Sequence, residues 1–224
     1  DTEVISAFAT EPFDRLNSLS DEEKDALPKW DNELVMTYHG VGGYTSRAVG
    51  KRWNSRNEIL ADCAERTACA AENLGLMRYP SKPLETAWKR VIAHHFHDDL
   101  PGTSVQRAYK RSWNDLAVSL NQFADEYTSA VGKISETLNT DVAGIAVAVS
   151  NTLEFKRTGA VTAEIETDKT FVRVFDGDNE VVSQTKILDN GKRQVIFIAR
   201  ISPLAVKVFS LVPSDKACEL STGL

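Results

Sequence analysis

The chain has 224 residues, 42% of them hydrophobic, which suits one large or two modest packed domains and argues against disorder. A formal net charge of −6 leaves no general basic surface of the kind that nucleic-acid backbones require. The three cysteines, Cys63, Cys69 and Cys218, do not make a disulfide framework, because the first two lie six apart in a helical pattern and point to different faces. That usage suits a reducing compartment or simple burial.

In chain order, residues 1–32 read as a connecting segment, with Ser20-Asp21-Glu22-Glu23 as a helix start and Pro28 and Trp30 in a turn. "ELVMTY" at 33–38 fits a short strand, and "HGVGGYTS" after it a loop that ends at a Thr or Ser N-cap. Its glycines invite a phosphate-loop reading, but both the Walker lysine and the dinucleotide spacing are missing. From 47 to 74 no proline occurs. Ile59, Leu60, Cys63, Ala64, Thr67, Ala68, Ala71 and Leu74 recur there at helical spacing, with Gly75 as the stop. A second helix is expected over 84–98, burying Trp88, Val91, Ile92, His95 and Phe96, with Pro101-Gly102 breaking it. A third starts near Thr103 or Ser104 and buries Tyr109, Trp113, Leu116, Leu120, Phe123 and Tyr127, ending near Leu138.

Three long helices with short breaks predict an antiparallel bundle over 33–140. Beyond it the texture changes to short β-branched runs punctuated by Asp176-Gly177-Asp178-Asn179 and Asp189-Asn190-Gly191. Residues 141–224 therefore predict an antiparallel, sandwich-like region, and the fold class is α+β. No run of 18 apolar residues and no basic-then-apolar leader occurs. The chain begins at Asp1 without a methionine, which fits a processed product or an excised piece.

The densest chemistry is "HHFHDDLPGT" at 94–103. On a continuous helix His94 and His97 would share one face and His95 and Asp98 the next. Two imidazoles so spaced can chelate a divalent metal, but structural or catalytic zinc takes three or four protein ligands. The alternative is a solvated helix end in which His95 is a core-facing polar tip and His94 and Asp99 are exposed. Cys63 and Cys69 read as small buried residues, and Ser46 and Ser104 as caps rather than nucleophiles.

Three motifs also carry a resemblance. "HHFHDDLPGTS", preceded by "LETAWKRVIA" and followed by "YKRSWNDLAVSLNQF", resembles the helix-pair signature of the α-mannosidases of glycoside hydrolase family 38. "GGYTSRAVGKRWNSRNEILADCAE" is similar to the same family's YTS segment and following helix. "VSNTLEFKRTGAVTAEI" is similar to the segment opening its β domain, with Thr152 in place of proline and Phe155 in place of tryptophan. The likeness runs colinearly over about residues 33–212.

The resemblance implies a zinc-dependent retaining hydrolysis of terminal α-mannosidic bonds. In that family an N-terminal β/α barrel carries the nucleophile, the acid and most of the zinc ligands, and no such barrel is recognisable here. By the same resemblance His97 would be a zinc ligand and Asp98 a contact to mannose hydroxyls, with no catalytic carboxylate in this chain. Implied partners are a mannose-containing oligosaccharide and the barrel of the same polypeptide. The family's β domains also run beyond residue 224, so the strand region is expected to be incomplete. No substrate contact is carried onto Gly40-Val41-Gly42-Gly43, and His39 would at most approach the site entrance. A non-catalytic interaction or scaffold module is the alternative. A metal-dependent phosphohydrolase would need two further ligand motifs that the sequence does not show.

Overall fold

The computed structural model describes residues 4–31, 42–43 and 45–221. The strand expected at 33–38 and His39 lie outside the described residues. Two units are distinguished, residues 1–42 and 43–224. In the first, α1 (Glu11–Asn17) places Pro12 in its opening turn, and α2 (Asp21–Asp25) follows. The Ser20 hydroxyl accepts from the Glu23 amide at 3.2 Å and Glu23 Oε2 accepts from the Ser20 amide at 2.8 Å, forming the capping box that the sequence suggests.

The second unit opens with three helices, α3 (Ala48–Asn73), α4 (Ser81–Ala93) and α5 (Gln106–Ser135). The expected loop cap by Thr or Ser is not used: Arg47 is the N-cap of α3, with φ of 54° and its guanidinium 4.6 Å from the Tyr109 ring centre. Gly75, at φ of +71°, ends α3 as expected. Its amide bonds to the Glu72 carbonyl and the Leu76 amide to the Ala71 carbonyl, so two carbonyls at the helix end are satisfied.

The buried face of α3 differs from the expected one. Asn54, Asn57, Ala61, Ala64, Thr67, Ala68 and Ala71 are buried, whereas Ile59 and Leu74 are exposed. Alanines at three- and four-residue spacing leave room for a second helix, and α5 packs there with Leu116, Phe123 and Ala130 buried. Asn57, fully buried, is satisfied across this seam. Its amide donates to the Trp53 and Leu116 carbonyls, both at 3.0 Å, and its oxygen accepts from Ser119 Oγ at 2.8 Å. Leu84, Ala87 and Val91 of α4 close the core, and Trp88 meets Phe123 edge-on at 5.5 Å.

Seven strands follow: β1 (Ile145–Asn151), β2 (Arg157–Ile165), β3 (Phe171–Asp176), β4 (Asn179–Val181), β5 (Ser183–Ile187), β6 (Arg193–Ile201) and β7 (Ala205–Ser214). They form two antiparallel sheets, ordered β1-β7-β3-β4 and β2-β6-β5. The pairing of Asp176 with Asn179 makes Gly177-Asp178 a two-residue hairpin loop, as the turn residues predict. Alternation along β6 buries Val195, Phe197, Ala199 and Ile201 against Val172, Val174, Phe209 and Leu211 of the other sheet. The α+β class is thus the one found, helices first and antiparallel sheets after.

Bundle and sheets have separate cores. Between them run polar contacts: Cys63 Sγ with Thr152 Oγ1 at 3.4 Å, Arg66 with Glu154 at 3.3 Å, and the Tyr127 and Ser150 hydroxyls with each other. A cleft of 710 Å³ lies alongside, lined by Ile59, Asp62, Tyr127, Leu153 and Arg157 among others. Among the described residues no helix is long and apolar enough to cross a membrane. All three cysteines are free. Cys63 is only partly buried and Cys69 is exposed, contrary to the expectation that both are buried.

Candidate functional site

Helix α4 ends at Ala93, not at Asp98. His94 and His95 turn their amides onto the carbonyls of Val91 and Ile92, three residues back, and the chain leaves the helix. His94 and His97 therefore do not share a helix face, so the two-imidazole arrangement that a continuous helix would have allowed is not present. Residues 94–103 are instead a run of turns between α4 and α5. The hydrophobic stripe also stops short, since Ile92 and Phe96 are 58% and 57% exposed.

Each histidine has a different surrounding. His94, read as helix surface, has a side chain only 12% exposed. Its Nδ1 is 2.6 Å from Asp99 Oδ2 and its Nε2 3.2 Å from Asp115 Oδ2. His95, read as core, is 37% exposed and meets Asn54 Oδ1 at 2.8 Å, with Glu58 3.6 Å away. His97 is 77% exposed, its ring centre 4.2 Å from that of Phe96 and its Nε2 3.4 Å from Asp98 Oδ2. His97 and Asp98 are thus brought together at the surface. His94 is turned into the bundle's end, while His95 stays at its surface against Asn54.

The turn that presents this pair is tied down along its length. Thr103 Oγ1 donates to Asp98 Oδ1 at 3.0 Å, and the Thr103 amide and Tyr109 hydroxyl donate to the Asp98 carbonyl, both at 3.2 Å. Tyr109, 3% exposed, also accepts from the Ser104 amide at 2.8 Å. Ser112 Oγ meets both Asp99 oxygens, at 2.8 and 2.7 Å. Lys51 Nζ donates to the Leu100 carbonyl at 3.0 Å and the Ser46 carbonyl at 2.5 Å, which ties the turn to the start of α3. Burial holds the Lys51 pKa below the usual lysine range. Gly102 passes so close to Ser46 that a Cβ would stand 2.7 Å from the serine's own.

Sequence reasoning singled out His97 and Asp98 and missed Lys51, Tyr109, Ser112 and Asp115 as the turn's supports. Asp99, read as solvated, is one of them. An imidazole beside a carboxylate is suitable chemistry for one position of a metal's donor set. Among the described residues no group of three or more His, Cys, Asp and Glu side chains could hold a metal ion.

A helical bundle running into an antiparallel sandwich, with a pinned His-Asp turn at the bundle's end, defines the class. The family described as alpha mannosidase middle domain matches residues 37–134. An alpha-mannosidase of Saccharomyces cerevisiae is 28% identical over 172 residues, 76% of this chain and 15% of that protein. Alpha-mannosidase G of Dictyostelium discoideum is 37% identical over 87 residues, 39% of this chain and 8% of its own length. The solved structure of an Enterococcus faecalis alpha-mannosidase superposes with a TM-score of 0.64 at 18% identity, over 89% of this chain and 28% of its own. These likenesses agree with the resemblance carried by the three motifs, and the chain spans about a seventh of the yeast relative's length.

Proposed function

We propose that this chain is the bundle and adjoining β region of a zinc-dependent retaining α-mannosidase, in which His97 ligates zinc and Asp98 contacts mannose hydroxyls. The observation that carries the proposal is the anchored turn. Its supports fix the backbone on both sides of an imidazole left 77% exposed and a carboxylate 50% exposed. Both side chains can meet a partner from outside the bundle.

Asp98 is suited to its role. Thr103 holds one carboxylate oxygen, which fixes the group's rotation, and the other remains able to accept sugar hydroxyls. His97 offers a ring nitrogen on a short tether, and the contact with Phe96 restricts the ring plane. Zinc, when bound, would supply Lewis-acid chelation of the sugar's 2- and 3-hydroxyls. This chain's own contribution is to hold the ligand and the hydroxyl acceptor still. The nucleophile and acid of the double displacement are expected from the barrel of the same polypeptide. Alone, the chain should bind zinc weakly and hydrolyse nothing.

The test is His97→Ala in the full-length enzyme, with zinc content and turnover of p-nitrophenyl α-mannoside measured together. Severe loss of both is expected. Wild-type zinc and rate would remove His97 from the site and leave the bundle as a scaffold module.

A further inference from the structure

His94 has a side chain only 12% exposed, and it is the point where three parts of the chain meet. It caps the end of α4, its Nδ1 lies 2.6 Å from Asp99 of the turn, and its Nε2 lies 3.2 Å from Asp115 of α5. A carboxylate only accepts, so the hydrogen of the 2.6 Å bond belongs to Nδ1. Asp99 is the residue after Asp98, and Ser112 holds its carboxylate from the α5 side. The His94–Asp99 bond thus closes the segment 94–99 into a side-chain-locked loop with His97 and Asp98 inside it. Without that bond, only the Ser112 hydroxyl would hold the Asp99 carboxylate to the bundle.

We propose that His94 is a positioning residue for the His97–Asp98 pair, acting through Asp99. The inference rests on the function proposed above, since it assigns His94 to the support of that site. Partners that orient a metal ligand typically influence affinity or activity about 10- to 100-fold when removed. A residue that merely fills space would influence folding alone.

The two ring nitrogens can be tested separately in the full-length enzyme. The amide of asparagine lies near the place of Nδ1 and can keep the Asp99 bond. The amide of glutamine lies near Nε2 and can keep only the Asp115 contact. Zinc affinity is read by chelator competition on the metal-stripped protein, kcat/KM on p-nitrophenyl α-mannoside, and folding by thermal denaturation. His94→Leu and His94→Gln are expected to weaken zinc binding and kcat/KM about 10- to 100-fold, while His94→Asn stays within about threefold of wild type.

Equal behaviour of all three variants, or a lower Tm with wild-type zinc affinity, would overturn the proposal. Should the His94 variants fail to fold, Asp99→Ala serves in their place. It is expected to weaken zinc binding about tenfold, and a wild-type value overturns the proposal equally. His97→Ala separates the two claims. If that variant keeps zinc and activity, the site itself is misassigned. If it loses them while His94→Leu does not, only the positioning role fails.

Discussion

Gly102 shows how much of the turn is decided by single atoms. Its φ of +89° favours glycine, and an added Cβ would come within 2.7 Å of Ser46 Cβ and 2.8 Å of the Ser46 carbonyl oxygen. Backbone lies on one side of that contact, so the neighbour has little freedom to give way. Gly102→Ala should therefore cost about 1–3 kcal/mol, lowering the Tm of the chain, and should push the turn away from the start of α3. Hydrogen exchange at Gly50, whose amide bonds to the Arg47 carbonyl, would rise with it; unchanged Tm and exchange would contradict this account. The sequence showed Gly102 as a breaker and, through the resemblance, picked out His97 and Asp98. It could not show what supports them. Asp115 is 21 residues from His94 and Lys51 is 49 from Leu100, and only the folded chain makes these pairs neighbours.

Element ends were legible where the chain carries its own punctuation and misread where side chains from elsewhere decide. Gly75 stops α3 by local geometry. At the end of α4, His94 meets Asp99 of the turn and Asp115 of α5, and His95 meets Asn54 of α3, partners that periodicity does not see, so it ran the helix five residues too far. The face of α3 was misjudged for a related reason: close packing on α5 selects its alanines, while Ile59 is left to line the cleft. In the sheets, alternation and turn residues marked most strands, but the run "VVSQTKIL" is split at Val182, with no turn residue, between β4 of one sheet and β5 of the other. Within them the hairpin of β3 and β4 carries a titratable support, in which Glu180 accepts from Arg173 Nε at 2.7 Å and from Nη2 at 2.5 Å. This pairing holds the Glu180 pKa below its ordinary 4.5, with partial burial opposing. A depressed carboxylate stabilises the fold fully above the unfolded value and loses that contribution as pH falls through the folded one. Glu180→Gln should accordingly lower Tm at pH 7, and the gap to wild type should close as pH drops below about 4.5. A gap independent of pH would mean the side chain acts by packing alone.

At the scale of the second unit, the bundle core around Phe123 and the sandwich core around Phe209 share no buried apolar residue. What joins them is polar and partly solvated, the Arg66–Glu154 pair being 41% and 75% exposed, and exposed ion pairs contribute little. Cooperative unfolding requires that loss of one core destabilise the other, and this interface gives little means for that. Phe123 is fully buried against Trp88, and Phe209 is 1% exposed with Phe197 5.2 Å away, so truncating either to alanine removes comparable packing. Each change should cost about 3–5 kcal/mol in its own half. Calorimetry on the 224-residue chain should show Phe123→Ala lowering a transition followed by helical circular dichroism while the sheet transition stays, with the reverse for Phe209→Ala. If both variants lower one common transition instead, the thin seam transmits stability, and the turn carrying His97 is held by the sandwich as well as by the bundle.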